Sequence, residues 1–448
     1  MSVLIAGGGV AGLYAALRIL KRDRHAKVIV VERDAHHLGG RVWPVRFAGI
    51  DVAGGAGIGR LGKDRRLMRL LRELHVPHSI FKHRVNYAGV DAADLKRARE
   101  QMDGWFGRLM DAKRKMGRSG TSAVSFRKFA VSVLGRKDYS RMVSMLGFGD
   151  DQEASALDTM ERYGMEDNYD LGKGVSIPWR KLVNAMARKI RSYPNAQIKM
   201  GVALEQFVGT PNAASRENGA RGASSKSSSK SSGKSSSKAS RNHRISAAPF
   251  TASLRDIRNS TTITISHVSR IILALPAHAT LSVLSRSRFH SASDLIHTNV
   301  ASQSFILSYA RFGKRDWERL ESKVPYYTVV GGVVQKMVPM KKRGVYMVAY
   351  ADNGNARNIR ALRSCRLLVG MVSRRLGFDT PLRSRSCLFR FIRHGTHYYK
   401  PGKWHNRRDF LNELHHALPD RVHVVGEAFS LHQGWVEGAL QSVSDAKF

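Results

Sequence analysis

Short apolar runs separated by glycines and charged residues mark the first part of the chain. Val3 to Ala6 is a continuous apolar run, Ala11 to Leu20 carries apolar residues at helical spacing, and Lys27 to Val31 is a second apolar run. Runs of this kind are typical of buried strands, and the spacing between them is typical of a helix. The pattern predicts a β-α-β unit, the element from which parallel sheets are built.

The apolar pattern becomes helical in the next section. Leu67 to Leu74 and Trp105 to Met116 are amphipathic, and Ser125 to Met145 continues in the same way without a strand signature. Pro178 to Ile190 again predicts a helix, whereas Ala196 to Met200 predicts a strand. We therefore expect a helical insertion between two parts of a sheet-containing domain.

A low-complexity segment separates two further predicted strands, Val202 to Val208 and Thr261 to Val268. Residues 213–243 between them consist largely of serine, lysine, glycine and alanine. This composition cannot bury enough apolar surface to offset the entropy of ordering. We predict a disordered surface loop within an overlong hairpin, and its regular lysines suggest the hypothesis of non-specific binding to nucleic acid or another polyanion.

The chain is strongly basic, with 75 Lys and Arg against 35 Asp and Glu and a formal charge of +40. A basic surface attracts polyanions, but the compositional bias of a source genome produces the same excess, and both explanations stay open. One acidic segment interrupts this background and is interpreted either as a solvated helix face or as a path for a cationic substrate. Its acidic residues are Asp150, Asp151, Glu153, Asp158, Glu161, Glu166, Asp167 and Asp170.

Length and residue usage indicate the class of protein. A chain of 448 residues with 42% hydrophobic residues predicts two joined domains. Cys365 and Cys387 are too few for a disulfide framework and fit a reducing compartment. No signal peptide or apolar stretch of membrane-spanning length is visible, and the histidines show no metal-ligand spacing. We expect a soluble, intracellular protein of the cytoplasm that binds no metal.

The first glycines form a dinucleotide-binding motif. Gly7, Gly9 and Gly12 follow the first predicted strand as G-x-G-x-x-G, which permits a tight turn, close backbone approach to a pyrophosphate and tight helix packing. Glu32 lies 20 residues after Gly12 at the end of the second strand, where a carboxylate can accept hydrogen bonds from a ribose. The helix N-terminus at Gly12 adds free N–H groups for the phosphates.

Two later blocks give the chain its resemblance to the flavin-containing amine oxidase family. The first is Gly39-Gly40-Arg41 with Gly54-Gly55-Ala56, and the second is Val424-Val-Gly426-Glu427 with Gly434-Trp435-Val436. The middle of the chain also resembles the family, at Val202 and at the strand that ends in Pro276.

This resemblance implies a fold and a non-covalent FAD. The implied fold is α/β plus α+β, a Rossmann-type FAD-binding domain interleaved with a substrate domain of mixed sheet and helices. The FAD-binding domain would comprise residues 1–75, 177–280 and 411–448, and the substrate domain residues 76–176 and 281–410. By resemblance, FAD would contact Gly7, Gly9, Gly12, Glu32, Gly40, Arg41, Gly54, Gly55, Ala56, Val202, Gly426, Glu427 and Val436.

The substrate site departs from the family pattern. Many members carry a lysine that holds a water near flavin N5, whereas residues 302–309 contain none and Ser304 occupies the comparable position. Trp435 stands where many members have an aromatic wall, and Tyr398 or Tyr399 is expected to form the opposite wall. Two such rings would favour a cationic amine.

The resemblance implies an FAD-dependent oxidoreductase that transfers a hydride from a substrate C–H bond, beside an amine, to flavin, with reoxidation by oxygen. A catalytically impaired flavoprotein that binds polyanions such as nucleic acid is one alternative. An FAD-dependent desaturase or isomerase is another, because a fold does not dictate a reaction.

Overall fold

The computed structural model describes residues 1–88, 92–149, 152–162, 172–209 and 249–448. The predicted loop at 213–243 lies outside these residues, as do five members of the acidic segment, Asp150, Asp151, Glu166, Asp167 and Asp170. Within the described part of the chain, no helix combines the length and the apolar character needed to cross a membrane.

The described residues form nineteen strands. They are β1 (Ser2–Ala6), β2 (Lys27–Glu32), β3 (Val45–Phe47), β4 (Ile50–Val52), β5 (Gly59–Arg60), β6 (Ser79–Lys82), β7 (Asn86–Tyr87), β8 (Lys173–Ser176), β9 (Ala196–Met200), β10 (Val202–Gly209), β11 (Phe250–Asp256), β12 (Thr262–Val268), β13 (Arg270–Leu273), β14 (Val300–Phe312), β15 (Thr328–Gly331), β16 (Gln335–Pro339), β17 (Val345–Asp352), β18 (Ser384–Tyr399) and β19 (Val422–Val424).

Thirteen α-helices accompany these strands in the described part of the chain. They are α1 (Val10–Arg22), α2 (Arg65–Glu73), α3 (Ala92–Ala123), α4 (Phe126–Leu146), α5 (Ala156–Arg162), α6 (Trp179–Arg191), α7 (Ala277–Arg286), α8 (His290–Asn299), α9 (Lys314–Lys323), α10 (Asn353–Leu362), α11 (Cys365–Arg375), α12 (Arg407–His416) and α13 (Val436–Asp445).

A parallel five-stranded sheet with the order β19-β13-β1-β2-β9 forms the centre of the first domain. Consecutive residues of β1 face opposite sides, since Ile5 packs in the core with α1, α6 and α13 while Leu4 packs in the core on the other face. A strand covered on both faces is continuously apolar. This explains the uninterrupted runs in the sequence and confirms the predicted β-α-β unit and Rossmann-type fold.

The second domain contains a six-stranded sheet with the order β18-β14-β17-β16-β15-β7. Its long strand β14 pairs antiparallel with both β17 and β18. Residues 76–176, which we expected to be helical, also contain the short strands β6, β7 and β8 beside the predicted helices. These strands are only two to four residues long, too short to show a period of two in the sequence. The domain boundaries themselves stay a prediction.

The low-complexity segment separates β10 from β11, which pair directly with each other, rather than from the predicted strand Thr261 to Val268. Strand β11 follows it and lies between β10 and β12 in an antiparallel three-stranded sheet. Gly209 pairs with Phe250, so the described residues on the two sides of the segment are neighbours. The sequence pattern missed β11, although the predicted hairpin arrangement is present with this strand as the partner of β10.

Deletion of residues 213–243 should change the free energy of unfolding by no more than about 1 kcal/mol, because closing a shorter loop costs slightly less entropy. The paired residues Gly209 and Phe250 remain within reach of the shortened connection. Urea unfolding of the full chain and the deletion variant measures this. A large loss of stability would show that the deleted residues pack against the fold.

The structure corrects the interpretation of the two cysteines. Cys365 at the start of α11 and Cys387 on β18 form a disulfide across 22 residues of sequence. The pairing depends on the contact between α11 and β18, which no local motif indicates. The reducing compartment inferred from the cysteines therefore loses this support.

Candidate cofactor and substrate site

The glycines of the first motif are required by close backbone packing. Gly7 has φ of +104°, and a Cβ there would lie 2.5 Å from the carbonyl oxygen of Ala274. A Cβ on Gly12 would overlap the carbonyl oxygen of Gly7, whereas one on Gly9 would meet no atom within 4 Å. The motif thus builds a tight turn with open space at Gly9, the N-cap of α1. Space of this kind beside a helix N-terminus fits a dinucleotide pyrophosphate.

Glu32 braces this turn from the end of β2. One carboxylate oxygen accepts a hydrogen bond from Gly8 N at 2.7 Å, and the other accepts one from Asp34 N at 2.9 Å. Burial raises the pKa of Glu32, while these backbone N–H groups act in the opposite direction. Gly8 is a further required glycine that sequence reasoning missed. A Cβ added at Gly8 would lie only 2.9 Å from Cβ of Glu32.

Val202 begins β10 beside this region and is buried in the core on one face of the parallel sheet. The preceding Gly201 has φ of +72° and donates its N–H to the carbonyl oxygen of Asp34 at 3.2 Å. The Val202 backbone is thus held next to the end of β2. Its predicted contact with adenine stays a prediction.

Arg41 connects the second glycine block to the far end of the chain. Its Nη1 donates to Glu427 Oε2 at 2.7 Å and to the carbonyl oxygen of Gly395 at 3.0 Å. Nε and Nη2 make no hydrogen bond with the described residues. Gly40 lies against Gly9, because a Cβ added at Gly40 would be 3.6 Å from Cα of Gly9. Arg41 therefore has donors to offer a phosphate beside the open turn.

Glu427 is the centre of a buried polar cluster, which we call the Glu427 cluster and which comprises Glu427, Arg41, His397 and Gly434. The carboxylate accepts from Nδ1 and N of His397 at 2.7 and 2.8 Å and from N of Gly434 at 2.7 Å, besides Arg41. Burial alone would raise the pKa of Glu427, but His397 and Arg41 outweigh it and hold the pKa well below its usual range. Sequence reasoning did not assign His397 a role.

The glycines at 54 and 55 are explained by neighbouring carbonyl groups. A Cβ on Gly54 would overlap the carbonyl oxygen of Trp43, and one on Gly55 would overlap that of Arg41. Ala56 N donates to the Arg41 carbonyl oxygen at 2.9 Å. This segment therefore lies directly against the Arg41 backbone, and its contacts with the cofactor stay a prediction.

The closing motif places Gly426 before a short turn and Val436 at the first position of α13. Gly426 has φ of +121°, which favours glycine, and its N–H donates to Ser442 Oγ at 2.8 Å. Trp435 is the N-cap residue, and its Nε1 donates to Oδ2 of the fully buried Asp64 at 2.8 Å. Burial raises the pKa of Asp64, although Arg60 and Trp435 act in the opposite direction. The N-terminus of α13 is thereby fixed against α2.

Replacing Trp435 by Phe should lower the free energy of unfolding by about 1.5 kcal/mol, because the buried Asp64 carboxylate loses one donor while an aromatic ring is kept. Urea unfolding monitored by far-UV circular dichroism measures this. Trp404→Phe is the matched control, since the Trp404 indole N–H makes no hydrogen bond with the described residues. Equal stability of the two variants would contradict the assigned contact.

A cavity of about 1890 Å³ opens beside these motifs. Its wall includes Gly57, Gly434 and Trp435 from the motifs, and Phe305 and Tyr350 from the second domain. Basic residues outnumber acidic ones in the described lining. The acidic ones are Asp51, Glu161 and Glu437, and the Lys and Arg residues are Arg46, Arg60, Lys63, Arg65, Arg66, Lys82, Arg84, Arg180, Lys181 and Lys341.

All three acidic side chains of this lining are engaged within the protein. Asp51 accepts from Arg180 Nε at 2.9 Å, and Glu161 accepts from Lys113 Nζ at 2.8 Å. Glu437 accepts from N of Arg66 and N of Leu67 at the start of α2. A substrate ammonium would therefore have to compete with existing partners for any of these carboxylates.

The structure does not bring the three predicted catalytic residues into one cavity. Trp435 lines the large cavity, whereas Tyr398 lines a separate space of about 30 Å³ together with Gln303 and Asp158. The pairing of Tyr398 with Trp435 as opposite walls is not observed. Ser304 is buried on β14, and its hydroxyl is 3.5 Å from the carbonyl oxygen of Asn353.

A buried lysine lies near this strand at a position that sequence reasoning missed. Lys336 on β16 is fully buried, and its Nζ contacts the rings of Phe148 and Tyr350, both of which line the large cavity. Asp352 is also buried and accepts from Gly149 N at 2.8 Å. Burial raises the pKa of Asp352, while Gly149 and Lys336 act in the opposite direction. Neither position has a local sequence signal.

Comparison with known proteins supports the fold. Residues 5–74 match the family model of an NAD(P)-binding Rossmann-like domain, and no curated protein matches the sequence. Putrescine oxidase bound to putrescine is similar in structure, with a TM-score of 0.66, 16% identity and coverage of 99% of this chain and 97% of that chain. A single-substitution variant of that oxidase gives a TM-score of 0.67 at 15% identity over the same shares. The chain therefore has this two-domain fold throughout.

Proposed function

We propose that the chain, which has the fold of putrescine oxidase along its length, is an FAD-dependent oxidoreductase that oxidises an amine. The observation that carries the proposal is the meeting of three distant motifs at one place. The open turn at Gly9, the Arg41 guanidinium and the Glu427 closing motif are neighbours, and the large cavity begins beside them. This is the arrangement that a dinucleotide with a reactive ring at one end requires.

The residues present fit a non-covalent FAD. Gly9 and the N-terminus of α1 would receive the pyrophosphate, and Arg41 would add N–H donors from Nε and Nη2. The N-terminus of α13 at Val436 would place its backbone N–H groups and positive dipole end toward the flavin. FAD would supply hydride acceptance from a substrate C–H bond and return of the electrons to oxygen.

The substrate would bind in the large cavity. Trp435, Phe305 and Tyr350 offer apolar and aromatic surface, while the described acidic side chains are already engaged. Because basic residues predominate in the lining, an amine that also carries a carboxylate would find more favourable charges than a polyamine. Ser304 lies on β14 next to Phe305, which lines the cavity, and the family resemblance implies a position near the reacting end of the substrate.

The test is anaerobic reduction of the FAD-loaded protein. Purified chain is titrated with FAD, freed of excess cofactor, and exposed without oxygen to amines, polyamines and amino acids. We expect bleaching of the flavin absorbance with an amine, and recovery with peroxide formation when oxygen is admitted. Failure of the chain to bind FAD would overturn the proposal, and bound FAD that no amine reduces would overturn the amine oxidation.

A second candidate function is binding of polyanions such as nucleic acid, which the charge of +40 favours. DNA binding is measured at several salt concentrations for the full chain and for the chain without residues 213–243. Weaker binding and a smaller salt dependence of the deletion variant would support a role for that segment. Equal affinity of both chains would overturn it.

A further inference from the structure

His397 is a buried member of the Glu427 cluster that belongs to none of the sequence motifs. It lies on β18 with 2% of its surface exposed, in the second part of the predicted substrate domain. Its imidazole contacts two parts of the other domain at once. Nδ1 is 2.7 Å from Glu427 Oε2, and Nε2 is 3.3 Å from the backbone N of Ala277 at the start of α7.

These two contacts give the two ring nitrogens different roles. Nε2 accepts a hydrogen bond from the Ala277 N–H, which can only donate. Nδ1 faces the Glu427 carboxylate, which only accepts when ionised, and donates to it. The imidazole thereby orients the carboxylate that also accepts from Arg41.

Through Glu427 the imidazole acts on both groups that face the proposed cofactor. Oε2 is shared by Nδ1 of His397 and Nη1 of Arg41, and Oε1 is shared by N of His397 and N of Gly434. If the Nδ1 donor is lost, Oε2 keeps only Arg41, and the carboxylate can rotate toward the guanidinium. Arg41 and the turn before α13 would then lose their present positions.

We propose that His397 is a positioning residue for FAD, which holds the Arg41 guanidinium and the Gly434 turn in place through Glu427. This inference rests on the proposed binding of FAD. It assigns the imidazole no contact with the substrate and no proton transfer. Its effect is on cofactor affinity, since a ligand binds more tightly to groups that are already oriented.

Two substitutions separate the two contacts of the ring. His397→Asn places an amide N–H near the position of Nδ1 and keeps the donor to Glu427. His397→Gln extends to the position of Nε2, where its oxygen can accept from Ala277 N, but leaves no donor at Nδ1. We expect FAD to bind at least about tenfold more weakly to His397→Gln and within about threefold of the wild type to His397→Asn.

Titration followed by quenching of flavin fluorescence measures these affinities, and urea unfolding of the cofactor-free chains reports any loss of structure. An FAD affinity close to that of the wild type in His397→Asn, together with a weaker affinity in His397→Gln, supports the proposal. Wild-type affinity in His397→Gln, or equal losses in both variants, would overturn it. A wild-type chain that binds no FAD would instead refute the proposed function.

A double substitution tests whether His397 acts through Glu427. His397→Gln is combined with Glu427→Gln, and FAD affinity is compared with that of each single variant. If the imidazole acts through Glu427, His397→Gln adds little to the loss caused by Glu427→Gln. Fully additive losses would show that His397 does not act through Glu427 and would overturn the inference.

Discussion

Replacement of Glu427 by Gln is expected to lower the free energy of unfolding of the cofactor-free chain by about 3 kcal/mol. The carboxylate is 5% exposed and accepts hydrogen bonds from Arg41, His397 and Gly434. The amide would remove the charge opposite Arg41 and direct an N–H group at an existing donor. Urea unfolding at pH 7 measures the difference.

The matched control for this variant is an exposed carboxylate. Glu73→Gln removes the partner of Lys21, whose ion pair with Glu73 lies at the surface. Exposed pairs of this kind contribute little because water and salt screen them, so no measurable change is expected. A loss of stability in Glu427→Gln no greater than in Glu73→Gln would show that the Glu427 cluster does not stabilise the fold.

The same carboxylate predicts a dependence of stability on pH. The pKa of Glu427 is lower in the folded chain than its ordinary value of 4.5, so the unfolded chain takes up its proton first as the pH falls. The stabilisation is complete above about pH 4.5 and is lost progressively below it. The difference in unfolding free energy between wild type and Glu427→Gln should therefore shrink as the pH falls from 4.5.

Replacement of Gly9 by Ala should weaken FAD binding roughly 10- to 100-fold and leave the cofactor-free fold unchanged. A Cβ at this position meets no protein atom within 4 Å, and the residue has φ of −71°, which alanine adopts without strain. The methyl group would occupy the space assigned to the pyrophosphate, and overlap of this size costs about 1–3 kcal/mol. Flavin fluorescence titration and thermal unfolding measure the two effects.

Gly57→Ala is the control for this substitution. Gly57 lines the large cavity, and a Cβ there also meets no protein atom within 4 Å. It does not belong to the proposed pyrophosphate site, so FAD affinity should change much less than in Gly9→Ala. Unchanged FAD binding in Gly9→Ala would mean that the pyrophosphate does not lie against this turn.

Local features of the fold could be predicted because they depend on neighbours in the sequence. The β-α-β unit of β1, α1 and β2 follows from two buried apolar runs and one amphipathic segment. The turn from Gly7 to Gly12 follows from steric contact within a few residues. Strand β11 was missed because its position depends on pairing with β10 and β12, a contact that an isolated apolar pattern does not reveal.

The sequence by itself determined which residues can build a dinucleotide turn, because backbone conformation and burial leave local patterns at Gly7, Gly9, Gly12 and Glu32. Only the tertiary structure decided which distant groups meet. Arg41 and Glu427 are 386 residues apart, and His397 joins them from strand β18. The tertiary structure also places Tyr398 and Trp435 in different cavities and pairs Cys365 with Cys387. Such contacts depend on the packing of whole sheets and helices, so no short stretch of sequence records them.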